Sequence, residues 1–247
     1  MLTFTRFMLT PVLILFTCLL LTDLAAKEWQ FVKGERSASD LEQDINRKGQ
    51  QVLELVDLKP GMVVADILGG GGYYSELIAR KVAPYGRVYL HNNQAYLPHV
   101  GKEVAARLKD NRLENVIRHD KETEDLAFID QSLDMIFFVL GYHDLYHVDK
   151  NWKIDKDDFI RQLKTALKPG GYLLIIDHSA PDGSGTEYSQ DLHRIDKAYV
   201  INELKRKGFK LIKQSDLLVN DKDSREISPF HPDIRRRTDR FILLFQK

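Results

Sequence analysis

Short apolar runs alternate with longer amphipathic ones along most of this chain. Val63 to Leu68, Arg87 to Leu90, Val116 to His119, Met135 to Leu140 and Tyr172 to Ile176 read as strands. Phe209 to Ile212 and Phe241 to Phe245 read as two more. An unbroken apolar run such as 135–140 suits a strand buried on both faces. Helical spacing lies between the strands. Ser39 is placed to cap a helix reaching about Leu58, with Leu41, Ile45, Val52, Leu53 and Val56 on or near one face. Further helices are expected over Tyr73 to Arg80, Pro98 to Leu108, Lys156 to Ala166 and Asp196 to Lys207, the last stopping at Gly208. Regular alternation of this kind predicts an α/β fold, a mainly parallel sheet with helices on both faces. No internal repeat or low-complexity linker interrupts it.

Four consecutive glycines, Gly69 to Gly72, join the first strand to the helix at Tyr73. Lys59-Pro60-Gly61 marks the entry to this β-α-β unit and Pro84-Tyr85-Gly86 its exit. In open α/β sheets, ligands sit at the carboxyl ends of the strands, beside such a turn. Glycine allows positive φ and close backbone approach, and the following helix offers free N–H groups to an anion. The nearest nicotinamide-type frame is Gly70, Gly72 and Ser75, a poor match to G-x-G-x-x-G/A. A tight strand-to-helix turn without a ligand is the competing reading.

A second signal is Leu167-Lys168-Pro169-Gly170-Gly171-Tyr172-Leu173-Leu174-Ile175-Ile176-Asp177, which reads as a helix end, a Pro-Gly-Gly turn and a buried strand. With the glycine turn, it resembles the first-strand and fifth-strand motifs of class I S-adenosylmethionine-dependent methyltransferases. The segments "GGGYYSE", "GYHDLY" and "LHRID" resemble a small subgroup of exported, predicted methyltransferases, over about residues 38 to 247. The resemblance implies a Rossmann-like, doubly wound, seven-stranded sheet with the last strand antiparallel, and S-adenosylmethionine as cofactor. It puts Gly69, Gly70, Gly71, Gly72 and Tyr73 under the methionine part. Asp66 would orient the turn or reach the cofactor's amino group, the competing reading being a helix-capping carboxylate. Asn92 stands where the family usually carries an acid for the ribose hydroxyls, and Asp120 where it often contacts the adenine amine. The family pattern is Asp-x-Gly-x-Gly-x-Gly. Aligned on Asp66, the first glycine position holds Leu68, whose side chain would crowd the cofactor.

Chemistry at the acceptor is expected from the histidines. Gly141 to His147 follows the fourth strand, Asp177-His178 ends the fifth, and His193 precedes the next helix. The fold would bring His143, His178 and His193 to one edge, with Asp144 and Asp177 beside them as acid-base candidates. His143 and His147 stand at i, i+4, a spacing for two metal ligands on one helix face. The zinc-protease pattern needs His-Glu-x-x-His, and residue 144 is Asp, so no metal ligand is assigned. The loop Ser179 to Gly185 is a candidate lid.

Composition narrows the setting. The 247 residues suit one α/β domain, taken as residues 27–247, behind a leader at 1–26. That leader has Arg6, an apolar core from Phe7 to Leu21 and small residues at Leu24-Ala25-Ala26. Its core is short of the ~20 residues of a membrane span, so a cleaved signal peptide and periplasmic export are expected, with an uncleaved membrane anchor as the alternative. Cys18 is the only cysteine and lies in the leader, which leaves the domain no disulfide, thiolate nucleophile or Cys-ligated zinc. Lys+Arg 36 balance Asp+Glu 36, against nucleic acid as the partner. Arg235-Arg236-Arg237 reads as a solvated loop, or as a contact for an anionic substrate or lipid headgroup. The expected function is methyl transfer to a small-molecule acceptor. The alternatives are an exported binding protein with this fold and a metal-dependent hydrolase using the histidine-rich rim.

Overall fold

A computed structural model describes residues 36–247. The leader assigned to residues 1–26, and the loop with Trp29 and Phe31, lie outside the described residues. Seven strands form one sheet: β1 (Val63–Ile67), β2 (Arg87–Asn92), β3 (Val116–Asp120), β4 (Leu133–Val139), β5 (Leu167–His178), β6 (Lys210–Ser215) and β7 (Arg240–Gln246). Their order is β3-β2-β1-β4-β5-β7-β6, and β7 runs antiparallel to its neighbours β5 and β6. The order reverses beside β1, between β2 and β4. Ligands of such sheets bind at that switch point.

Alternation along the strands divides the core in two. Ala65, Ile67, Ile136, Phe138, Leu173 and Ile175 face α5 (Lys156–Ala166) and α7 (Lys197–Arg206). Val64, Met135, Phe137, Leu174 and Ile176 face α2 (Gly49–Leu55), α3 (Tyr73–Val82) and α4 (Leu97–Arg107). Successive residues of a strand point to opposite faces, so an unbroken apolar run fills both layers.

Two expectations are corrected. The helix predicted from Ser39 to Leu58 is two helices. Ser37 caps α1 (Ala38–Arg47), its side chain accepting from the Asp40 N–H, and Lys48 breaks the run with φ 46° before α2. The break lets Gly49 lie against α3, where a Cβ would meet Leu77 Cδ1 and the Tyr73 hydroxyl at 2.5 Å. The Leu167 to Gly170 stretch is not a helix end and turn. It starts β5, with Leu167 opposite Leu133 and a register shift before Met135. α6 (Ser189–Leu192) is one short turn. The loop after β5 is pinned: the Ala180 N–H donates to the Ile195 carbonyl at 3.0 Å, and the Gly183 N–H to Asp196 at 3.0 Å.

Arg107, at the end of α4, ties three helices to the glycine turn. It donates to Asp40 at 2.6 and 2.9 Å, to Glu76 at 2.7 Å and to the Gly71 carbonyl at 2.5 Å. Arg80 and Arg112 also bind Glu76. Burial would raise the Glu76 pKa, but these guanidinium groups outweigh it and hold the carboxyl at about 2. Truncating Arg107 leaves two buried carboxylates short of their cation. Arg107→Ala is expected to lower the unfolding free energy by about 3–5 kcal/mol in urea denaturation. Glu76 binds its proton more weakly folded than unfolded. Its contribution is therefore complete above its ordinary value of 4.5 and drains away as pH falls from there towards 2. The urea midpoint should drop across that window, and Glu76→Gln should flatten the drop.

Candidate active site

The turn leaving β1 has left-handed residues at alternate positions: Leu68 (φ 49°), Gly70 (φ 58°) and Gly72 (φ 84°). These are the three glycine positions of the Asp-x-Gly-x-Gly-x-Gly pattern, and a leucine holds the first. A left-handed leucine costs about 1–2 kcal/mol. It is retained by packing, for Leu68 is 4% exposed within the core facing α5 and α7, and by β2. The Leu68 N–H donates to His91 Nδ1 at 3.3 Å, and the Gly69 N–H to the His91 carbonyl at 2.9 Å. Burial pushes His91 down to about 4, which keeps that ring nitrogen free to accept.

Asn92 completes the clamp. Its Oδ1 accepts from the Gly70 N–H and its Nδ2 donates to the Gly70 carbonyl, both at 3.0 Å. The side chain expected at the ribose is fully buried and spent on the backbone. The amide supplies both the donor and the acceptor of this pairing, whereas a carboxylate could only accept. Asp66 is also turned inward, accepting from the Ser75 hydroxyl at 2.6 Å, and burial pushes it up to about 6. It thereby ties the end of β1 to the first turn of α3. Gly72 allows tight packing, since a Cβ there would meet Arg107 and Leu90 at 2.9 Å. Asp120, expected at adenine, pairs with Arg118 at 2.6 Å at the end of β3 and lines neither cavity described next.

Two cavities meet along the carboxyl edge. One of about 390 Å³ lies over Gly69, Gly70, Gly71 and Tyr73 and is walled by Arg47, Arg235, Arg236 and Arg240. A Cβ on Gly70 would enter open space, the nearest atom being Val100 Cγ1 at 3.9 Å. The other, about 1270 Å³, runs from Asn93, Gln94 and Thr123 to His143, Trp152 and His193. Arg47, Tyr96, Leu140, His178 and Phe230 line both. Sequence reading missed Arg47, Tyr96 and Phe230, because each reaches the edge from a helix, helix entry or loop with no motif around it. The triple-arginine segment carried a signal, and two of its three members are wall residues.

The histidines converge as expected. The His143 ring centre lies 5.9 Å from His178 and 5.4 Å from His193, and His193 stacks on His147 at 5.1 Å. A short 3₁₀ turn, His143–Leu145, holds His143 after β4. Asp177 orients it, accepting from its backbone N–H at 2.8 Å and from Nδ1 at 2.7 Å. On the other ring side, Nε2 lies 3.2 Å from Asp144 Oδ1, and Asp144 Oδ2 accepts from the Tyr96 hydroxyl at 3.0 Å. Burial works to lower the His143 pKa, but Asp177 and Asp144 outweigh it and raise it well above the usual imidazole range. His178 goes the other way, lowered by burial and by His143. The Arg194 following His193 is fully buried and bidentate to Asp223 at 2.9 and 3.0 Å.

Residues 41–202 match the ubiE/COQ5 methyltransferase family. The chain belongs to that family. A ubiquinone/menaquinone biosynthesis C-methyltransferase UbiE of Legionella pneumophila (strain Lens) is 32% identical over 130 residues, covering 52% of this chain and 48% of the relative. The UbiE of Pseudomonas aeruginosa (strain LESB58) is 30% identical over 186 residues, covering 73% and 63%. The chain thus spans about half to two thirds of the length of these relatives. Among solved structures, an S-adenosylmethionine-dependent methyltransferase from Aquifex aeolicus superposes with TM-score 0.59 at 21% identity, over 86% of this chain and 99% of that one. The [4+2]-cyclase SpnF superposes with TM-score 0.59 at 15% identity, over 89% and 86%. These structural likenesses show the fold alone.

The clamp on Gly70 makes a test against the acid usual at the end of the second strand. Asn92→Asp removes the donor to the Gly70 carbonyl and sets a carboxylate against it. It is expected to destabilise the fold by about 1–3 kcal/mol in chemical denaturation. Unchanged stability would mean that the amide does not hold the turn.

Proposed function

We propose that this chain is an S-adenosylmethionine-dependent methyltransferase acting on a small acceptor in the larger cavity. One observation carries the reading: a glycine-floored cavity with a cationic wall opens directly into a second, larger cavity at His143 and His178. When bound, S-adenosylmethionine supplies an electrophilic methyl group on a sulfonium. The chain's residues fit it. Gly70 leaves a cradle that any side chain would fill. Arg47 and Arg240 bring positive charge to where a carboxylate would lie, and the Asn93 and Thr123 end of the larger cavity has polar groups for a nucleoside.

Methyl transfer needs donor and acceptor held in line and water kept out, so positioning supplies much of the rate. Tyr96, Leu140 and Phe230 stand at the junction and present apolar surface, and Trp152 extends it into the larger cavity. A planar, partly apolar acceptor suits these walls. The names of the Legionella and Pseudomonas relatives favour carbon as the acceptor atom.

Calorimetric titration of the full chain with S-adenosylhomocysteine tests the reading. We expect saturable binding that Gly70→Asn weakens at least ~10-fold, about 1.4 kcal/mol. Asparagine tolerates left-handed backbone, so this variant fills the cradle while sparing the turn. No binding to the unaltered chain, or equal binding to the variant, would reject the cofactor site.

A further inference from the structure

We propose that His143, Asp144 and His193 form a binding site for one divalent first-row transition-metal ion at the wall of the larger cavity. His143 Nε2 lies 3.2 Å from Asp144 Oδ1, and His193 Nδ1 lies 3.4 Å from the same oxygen. All three ligand atoms fall within 4.8 Å of one another. Metal–ligand bonds of ~2.0–2.2 Å place neighbouring ligand atoms ~3.0–3.5 Å apart, so little movement is needed to close on an ion, which displaces the proton of His143 Nε2 to solvent as it binds. Two imidazoles and one carboxylate suit iron, cobalt, nickel or zinc better than magnesium or calcium, which favour all-oxygen sets.

The surroundings are those of a built site. Metal-bound histidines usually give their other ring nitrogen to a carboxylate or carbonyl, and His143 Nδ1 is bound to Asp177 at 2.7 Å. The second oxygen of Asp144 is held by Tyr96 at 3.0 Å. His193 has φ 50°, uncommon outside glycine. It is kept there by its neighbours: Arg194 is locked to Asp223, and the Ile195 N–H donates to the His178 carbonyl at 3.0 Å. Backbone held so is a common device for aiming a functional side chain. All three residues line the cavity, so protein supplies three ligands and the remaining positions are open, as in catalytic metal sites. His147, the i, i+4 partner the sequence offered, turns Nδ1 to the Gln190 carbonyl at 3.1 Å and stands outside the set.

An ion there would hold an oxygen of the acceptor and stabilise negative charge on it. That role rests on the methyltransferase reading; the binding site does not.

The full chain, stripped with a chelator, is titrated with Co²⁺ by optical spectroscopy and with Zn²⁺ by calorimetry. One equivalent should bind. His193→Ala and Asp144→Asn should each weaken binding by at least ~10–100-fold, and His147→Ala should leave it within a few-fold. Circular dichroism confirms that each variant is folded, and Asp144→Asn, nearly isosteric, carries the test should His193→Ala unfold. Less than half an equivalent on the unaltered chain would overturn the site, leaving a metal-free histidine bridged to Asp144. So would His147→Ala weakening binding as much as His193→Ala. The S-adenosylhomocysteine titration is run separately, so a lost cofactor site and a lost ion site give different results.

Discussion

The five residues from Leu68 to Gly72 constrain everything at the carboxyl edge. A chain leaving β1 must turn sharply enough to start α3 while keeping its backbone open to the cavity. It does so by taking left-handed conformation at residues 68, 70 and 72. Such a turn is not stable by itself. His91 and Asn92 fasten it from β2, Asp66 and Ser75 brace it from below, and Arg107 takes the Gly71 carbonyl from α4. The polar side chains at the end of β2 thus act on the backbone. The smooth floor of the smaller cavity is their product.

The second organising contact is Asp177 with His143. A buried carboxylate at the end of β5 fixes the 3₁₀ turn after β4, binding both the backbone and the ring of His143. Neighbouring parallel strands thereby share one geometry at the rim. The same bond leaves His143 Nε2 directed at Asp144 and His193, so that corner of the cleft is polar and charged while Tyr96, Trp152 and Phe230 add apolar wall. A cleft with a cationic end, an apolar waist and a histidine-carboxylate corner is suited to bringing a charged donor against a mixed-polarity acceptor.

Much of this architecture is legible in the sequence. Apolar runs buried on both faces gave the strands, and the glycine turn and the histidine segments were placed at the right edge because strand ends in a doubly wound sheet face one way. What escaped depended on contacts distant in sequence. The break at Lys48 follows from Gly49 meeting Tyr73 and Leu77. The extension of β5 back to Leu167 follows from pairing with Leu133. The sequence shows the position of Asn92 at the end of β2 but not its partner, the Gly70 backbone. Arg107 and Arg194 carry no motif, yet one anchors the glycine turn and the other the segment bearing His193. His147 was offered by i, i+4 spacing, whereas the structure groups His143 with a residue fifty positions on.

Hydrogen–deuterium exchange of the full chain, with and without saturating S-adenosylhomocysteine, tests the central claim most directly. The account predicts slowed exchange in Gly69 to Tyr73 and in Asn93 to Tyr96, with strand β6 unaffected. Unchanged exchange at the glycine turn would contradict it.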